Sequence, residues 1–189
     1  MSEPKIIVLS GPSGVGKGTI RKMLDMDALN LVNSVSWTTR DPRPEDIEGV
    51  TYHFVSQDEF QKNIDEDGFV EHAGYTNNAY GTPKKQLEDW MAQGKNVLLE
   101  IEVNGAKQVM EKYPEAVSIF LVPPTIEDLR KRLIGRKSED EAKIQARLET
   151  AEKELAQKDN YQYQVVNDDA ERAAKEVADI IQSCTNGKQ

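Results

Sequence analysis

The chain has 189 residues, a formal net charge of −9, and 38% hydrophobic against 30% charged residues, a composition that suits one globular domain with a proper core. The acidic balance argues against a general nucleic-acid binder, which relies on basic surface and counterion release, so any bound phosphate must meet locally concentrated positive charge. The single cysteine, Cys184, excludes an intramolecular disulfide and a Cys-rich zinc site and points to a reducing cytosol.

In chain order, residues 5–10 form a short β-branched apolar run that fits a buried parallel strand. Residues 1–5 before it lack the basic-then-apolar pattern of a secretory leader. The stretch Gly11-Pro12-Ser13-Gly14-Val15-Gly16-Lys17-Gly18-Thr19 follows, and a helix begins over 19–24. A G-x-x-x-x-G-K turn between a strand and a helix is a nucleotide phosphate loop. Its glycines let the backbone fold so that N–H groups converge on phosphate oxygens. The following helix N-terminus adds partial positive charge, and Lys17 reaches the β- and γ-phosphates. Gly18 stands where such loops usually carry a Mg²⁺-binding hydroxyl, with Thr19 one place later. No direct metal ligand is therefore assigned, and Mg²⁺ is expected to be held mainly by nucleotide phosphates and water.

Residues 32–36 read as a second strand. Residues 37–94 then break the rhythm, with short aromatic strands at 52–55 and 69–71 and helices near 57–65 and 83–92. Ser56 and Glu59 form a capping box for the first helix, and Thr82-Pro83 fits an N-cap and first position for the second. The core pattern resumes with strands at 96–101 and 117–122 and helices at 105–112 and 125–133. Residues 134–157 are highly charged and helical from a capping-box pattern, Ser138-Glu139-Asp140-Glu141, and suit a mobile cover. A short strand at 164–166 and a helix at 170–181 end the pattern. This alternation predicts an α/β fold: a P-loop NTPase-type parallel sheet flanked by helices, with a small α+β insertion and a helical lid. The expected division is one domain over 4–184, with a core at 4–36 and 95–184, the insertion at 37–94 and the lid at 134–157. His53 and His72 are too distant in sequence to form a local metal pair. No apolar run nears the roughly 20 residues of a membrane-spanning helix, so a cytoplasmic location is expected.

Ser34-Val35-Ser36-Trp37-Thr38-Thr39-Arg40-Asp41-Pro42-Arg43 resembles the S-x-S-x-T-T-R-x-P-R signature of guanylate kinases. Gly49-Val50-Thr51-Tyr52-His53-Phe54-Val55, Phe69-Val70-Glu71 and Tyr80-Gly81-Thr82 also fall at that family's order and spacing. The resemblance covers nearly the whole chain, from residue 5 to residue 181. It implies transfer of the γ-phosphoryl group of ATP to GMP with Mg²⁺, giving ADP and GDP, in purine nucleotide metabolism and GMP recycling. The deoxy acceptor dGMP is a further expected substrate; no nucleic-acid or membrane partner is expected.

The resemblance also implies roles. Arg40 and Arg43 would grip the GMP phosphate with the hydroxyls of Tyr52 and Tyr80, a task suited to the planar guanidinium fork. Glu71 would read guanine N1–H and the 2-amino group, which adenine does not offer. Ser36 and Thr82 would supply hydroxyls to the base edge, and Glu102 would lie near the 2-amino group. Many relatives carry Asp where Glu100 and Glu102 stand. Glu100 has two open roles, orienting Mg²⁺-bound water or making a strand-end salt bridge. Arg136 and Arg147 would reach the transferring group, with Lys17 and Arg43 the other catalytic cations, and Arg132 would contact ATP unless it is simply part of a solvated charged helix. Lys137 departs from the Gly-Arg-Gly common in relatives. Asn167 would sit beside the adenine, though a turn or cap role explains it almost as well. Guanylate-kinase-like scaffold modules that only bind proteins are the chief alternative. The intact glycine loop, Lys17 and both phosphate arginines favour an enzyme.

Overall fold

A computed structural model of the protein describes residues 3–75, 77–134 and 140–186. Its centre is β1 (Ile6–Ser10), buried at every position. β1 pairs in parallel with β7 (Asn96–Glu100) on one side and β8 (Val117–Val122) on the other. β2 (Leu31–Asn33) and β9 (Tyr163–Val166) complete a five-stranded parallel sheet in the order β2-β7-β1-β8-β9. A strand buried on both faces can be apolar throughout, which is why β1 reads as an unbroken run.

The period-2 alternation of β1 divides the core between two faces. Ile7 and Leu9 pack with Ile20 of α1 (Lys17–Met23) and with Val177 and Ile181 of α7 (Ala170–Thr185). Ile6 and Val8 face the opposite way, toward Leu87 of α3 (Lys84–Ala92) and Val103, Ala106 and Val109 of α4 (Val103–Lys112). A third apolar cluster joins Leu129 and Leu133 of α5 (Ile126–Ile134) to Ile144, Leu148 and Ala151 of α6 (Glu141–Leu155). Chain connections leave β1 toward β2 on one side while β8 lies on the other, so the crevice at the carboxyl end of β1 is a topological switch point.

A second sheet, ordered β4-β3-β6-β5, packs through β5 against α4 and α3. It comprises β3 (Trp37–Thr38), β4 (His53–Phe54), β5 (Phe69–Tyr75) and β6 (Asn78–Pro83), with α2 (Gln57–Asp65) packed on it through the stacked rings of Phe60 and Phe69. The Ser56–Glu59 capping box forms in both directions. Other local expectations need correction. The strand expected over 32–36 is only Leu31–Asn33. Pro83 itself, not Thr82, occupies the N-cap position of α3, and the Thr82 hydroxyl turns inward to Glu71. Asp140 caps α6 through the Ala142 N–H; Ser138, expected to start that helix, lies outside the described residues. Among the described residues no helix is long and apolar enough to cross a membrane.

Asn96 closes the amino end of the main sheet. Its side chain, 5% exposed, accepts from Lys5 N–H at 2.9 Å and donates to the Leu29 carbonyl at 3.1 Å. Asn96→Ala leaves both backbone groups unpaired and is expected to cost about 2 kcal/mol, read as a lower urea midpoint with an unchanged slope.

Candidate active site

The turn after β1 is the phosphate loop read from the sequence. Gly11, Gly14 and Gly16 all adopt positive φ. At Gly16 the reason is visible: φ is +102°, and a Cβ there would lie 2.7 Å from Asn167 Nδ2. Asn167 is buried and donates through Nδ2 to the Val15 carbonyl at 2.8 Å. Arg132 donates to the same carbonyl at 3.0 Å and to the carbonyl of Asn167 at 2.9 Å. Arg132 is thus a brace beneath the loop rather than part of a solvated face. Asn167 does not cap α7; Asp169 does, by accepting from Arg172 N–H. Lys17 Nζ donates to the Gly11 carbonyl at 2.8 Å and lies 3.5 Å from that of Pro12, so its charge is held at the mouth of the loop.

Gly18 is the second residue of α1, and the space that a side chain would take there faces Glu100 Oε1, 3.5 Å from an ideal Cβ. The other Glu100 oxygen accepts from Arg21 Nε at 2.7 Å. The strand-end salt bridge considered for Glu100 is therefore formed, and one oxygen still points toward the loop. Glu102 is exposed at the N-cap of α4. Thr19 is exposed on α1.

The second sheet carries the other half of the site. The two threonines of the Thr38-Thr39-Arg40 run fasten it: Thr38 Oγ1 donates to the Ala79 carbonyl and accepts from Arg40 N–H, and Thr39 Oγ1 accepts from Ala79 N–H. This fixes where Arg40 leaves β3. Its guanidinium lies 5.4 Å from the centroid of the Tyr52 ring and 5.7 Å from that of Phe54, a cation–π arrangement, and pairs with Asp46 at 2.9 Å. Asp46 also accepts from Arg43 N–H at 2.7 Å. That backbone bond, then Arg40, holds the Asp46 carboxyl below its usual range. Arg43 itself is exposed. Tyr52 and Tyr80 meet edge to face at 5.8 Å. Burial pushes the Tyr52 hydroxyl up, and Tyr80, Glu100 and Glu102 push in the same direction, which brings the arginine–tyrosine pocket within electrostatic reach of the β7 end beside the loop.

Glu71 and Thr82 form a buried pair between β5 and β6, 5% and 0% exposed, with a 2.6 Å hydrogen bond from the hydroxyl to Oε1. Ser36, half-buried, lies just before β3 and uses its carbonyl to hold His53 N–H. Gln86 of α3 binds Val35 N–H at 2.9 Å and the Ser34 hydroxyl at 3.2 Å, tying down the segment by which the chain enters the second sheet. On α6, Arg147 is half-buried and engaged, while Arg136 and Lys137 lie outside the described residues. Glu154 of the same helix accepts from the loop amide of Ser13 at 3.4 Å. Burial raises its carboxyl, Glu102 adds to this, and Lys17 opposes it. Asp46, Gln86 and Glu154 were not found from sequence. Asp46 and Glu154 belong to no motif, and their partners lie across loops or far along the chain.

Glu71 is also a liability. Burial raises its carboxyl above the ordinary carboxylate range against the help of Thr82. The unfolded chain therefore loses this proton first, so stability is fully present below the unfolded value near pH 4.3 and is lost as pH rises through the raised folded value. Glu71→Gln can still accept from Thr82 without burying charge. It is expected to melt above the parent at pH 7.5 and level with it near pH 3.5, measured by thermal unfolding across pH.

A sequence profile of the family described as Guanylate kinase matches residues 3–184. The guanylate kinase of Mycoplasma mycoides subsp. mycoides is 47% identical over 96% of this chain; this chain spans 61% of that relative's length. The guanylate kinase of Latilactobacillus sakei subsp. sakei is 49% identical over 94% of this chain and 88% of the relative. The crystal structure of guanylate kinase from Anaplasma phagocytophilum is 36% identical, with a TM-score of 0.82 over 99% of this chain and 89% of that one. With a glycine loop braced by Arg132 and Asn167, an arginine–tyrosine pocket and a match over nearly its full length, the chain belongs to the guanylate kinase family.

Proposed function

We propose that the protein transfers the γ-phosphoryl group of ATP to GMP, giving ADP and GDP, with dGMP as a second acceptor, in the cytoplasm. The observation that carries this reading is the buried Glu71–Thr82 pair, a carboxylate and hydroxyl in the sheet that also presents Arg40, Tyr52 and Tyr80. A buried carboxylate acceptor suits the two adjacent donors of guanine, N1–H and the 2-amino group. Adenine would leave it unpaired, a costly mismatch.

In the proposed reaction an oxygen of the acceptor phosphate attacks the γ-phosphorus in line, and the bond from that phosphorus to the β–γ bridging oxygen breaks. The electron pair leaves with ADP. The attacking phosphate is already anionic at neutral pH, so no side chain need remove a proton. The protein's task is positioning and charge neutralisation. The loop N–H groups and Lys17 would hold the β- and γ-phosphates, Arg40, Arg43, Tyr52 and Tyr80 the acceptor phosphate, and Arg136 and Arg147 of the lid segment the group in transit. The insertion and the lid segment would close over the crevice and keep water from the γ-phosphate.

The donor set fits a Mg²⁺ ion bound chiefly by phosphates and water. Gly18 offers no hydroxyl, and the Glu100 oxygen that faces it could hold a coordinated water. A Mg²⁺ ion held there would supply positive charge to offset the negative charge that develops during transfer.

The direct test is ADP formation from ATP and Mg²⁺ with GMP, AMP, UMP, CMP or no acceptor. Production with GMP, matched by GDP, is expected; none from folded protein would favour a binding module. Lys17→Ala is expected to lower kcat on the order of 10²–10³-fold with an unchanged melting temperature. Glu71→Gln is expected to lower kcat/KM for GMP about 100-fold with KM for ATP unchanged. Equal loss for both nucleotides would remove Glu71 from base recognition.

A further inference from the structure

The helix α4 approaches β5 along one stripe. Gly105, Gln108 and Lys112 share a face at i, i+3 and i+7 spacing. Gln108 binds both backbone groups of His72, accepting from its N–H at 3.3 Å and donating to its carbonyl at 3.0 Å. Lys112 donates to the Val70 carbonyl. The strand residues on either side of Glu71 are thus tied to the helix, so the gap between the two elements is set around Glu71. The third member of the stripe is Gly105. An ideal Cβ there would lie 2.4 Å from Glu71 Oε2 and 2.9 Å from its Cδ.

We propose that Gly105 is a specificity-positioning residue: the missing side chain is the space in which the Glu71 carboxylate sits at the angle that lets it read the acceptor base. This rests on the reading of Glu71 as the guanine-binding group. No unusual backbone requires the glycine, since Gly105 is not among the positive-φ residues and lies inside a regular helix. Alanine would favour the helix. The helix cannot simply retreat while Gln108 and Lys112 hold β5, so the soft element is the Glu71 side chain. A methyl group at position 105 would turn the carboxylate away from its present place and from Thr82, whose hydroxyl it holds at 2.6 Å. The buried glycine therefore serves recognition more than folding.

The experiment compares Gly105→Ala, Glu71→Asp and the double variant by steady-state kinetics with GMP, inosine 5′-monophosphate and ATP, and by thermal unfolding. Inosine 5′-monophosphate keeps the 6-oxo group and N1–H but lacks the 2-amino group. Gly105→Ala is expected to raise KM for GMP at least tenfold, keep KM for ATP within twofold, narrow the preference for GMP over inosine 5′-monophosphate, and melt no lower than the parent. The shorter carboxylate of Glu71→Asp draws back by one carbon and relieves the closest of the contacts with the methyl group. Its penalty on kcat/KM for GMP is therefore expected to be at least fivefold smaller in the Gly105→Ala background than alone. Unchanged GMP use in Gly105→Ala, or penalties that simply multiply, would overturn the proposal. Glu71→Gln separates the two layers: if it leaves GMP use intact, the base-reading role fails; if it impairs GMP while Gly105→Ala does not, only the role of Gly105 fails.

Discussion

A single carbonyl oxygen, that of Val15, accepts from Asn167 Nδ2 at 2.8 Å and from Arg132 Nη1 at 3.0 Å. Arg132 also reaches the Asn167 carbonyl, so the loop, the end of α5 and the link between β9 and α7 form one hydrogen-bonded unit. The buried amide and the guanidinium together satisfy the Val15 carbonyl and hold the loop from within. Preorganisation of this kind matters because dipoles already in place need not reorient during charge movement. Two further groups are arranged relative to this loop: Lys17 at its mouth and Glu100 beside its helix.

Legibility in the sequence followed the range of the interactions involved. β1, β7 and β8 were plain because strands buried on both faces become apolar runs that need no partner to be recognised. The Ser56–Glu59 box was plain because its partners are three residues apart. β3 has only two residues, and β6 contains Gly81 and ends at Pro83, so neither carries a strand signature. Thr82 shows the limit most clearly. A hydroxyl before proline looks like a helix cap, yet its partner is a carboxylate on the neighbouring strand, and burial of that carboxylate decides where the hydroxyl turns. The arginines and tyrosines of the site were found through family motifs. Asp46, which pairs with Arg40, and Gln86, which holds Ser34 and Val35, emerge only when the loops are folded.

Charge is handled locally. The chain carries a net charge of −9, yet the site gathers Lys17, Arg21, Arg40 and Arg132 around one crevice and gives each a partner from its own neighbourhood. Elsewhere, exposed i,i+4 pairs such as Lys85–Asp89 and Lys175–Asp179 line the helices, where such contacts are worth little. The site therefore interleaves cations with carboxylates, and the overall charge says nothing against a site for anions.

The Arg40–Asp46 pair bears on how long a ligand stays. A phosphate arriving at Arg40 would not meet a bare cation; it would take the place of a carboxylate already bound to it. The gain is then the difference between two charge-assisted contacts rather than the whole of one. Departure would be eased by the same exchange, because Asp46 is held by the Arg43 backbone within reach of the guanidinium. A tether of this sort would shorten the dwell time of an anion at Arg40 while leaving the guanidinium where the rings of Tyr52 and Phe54 hold it.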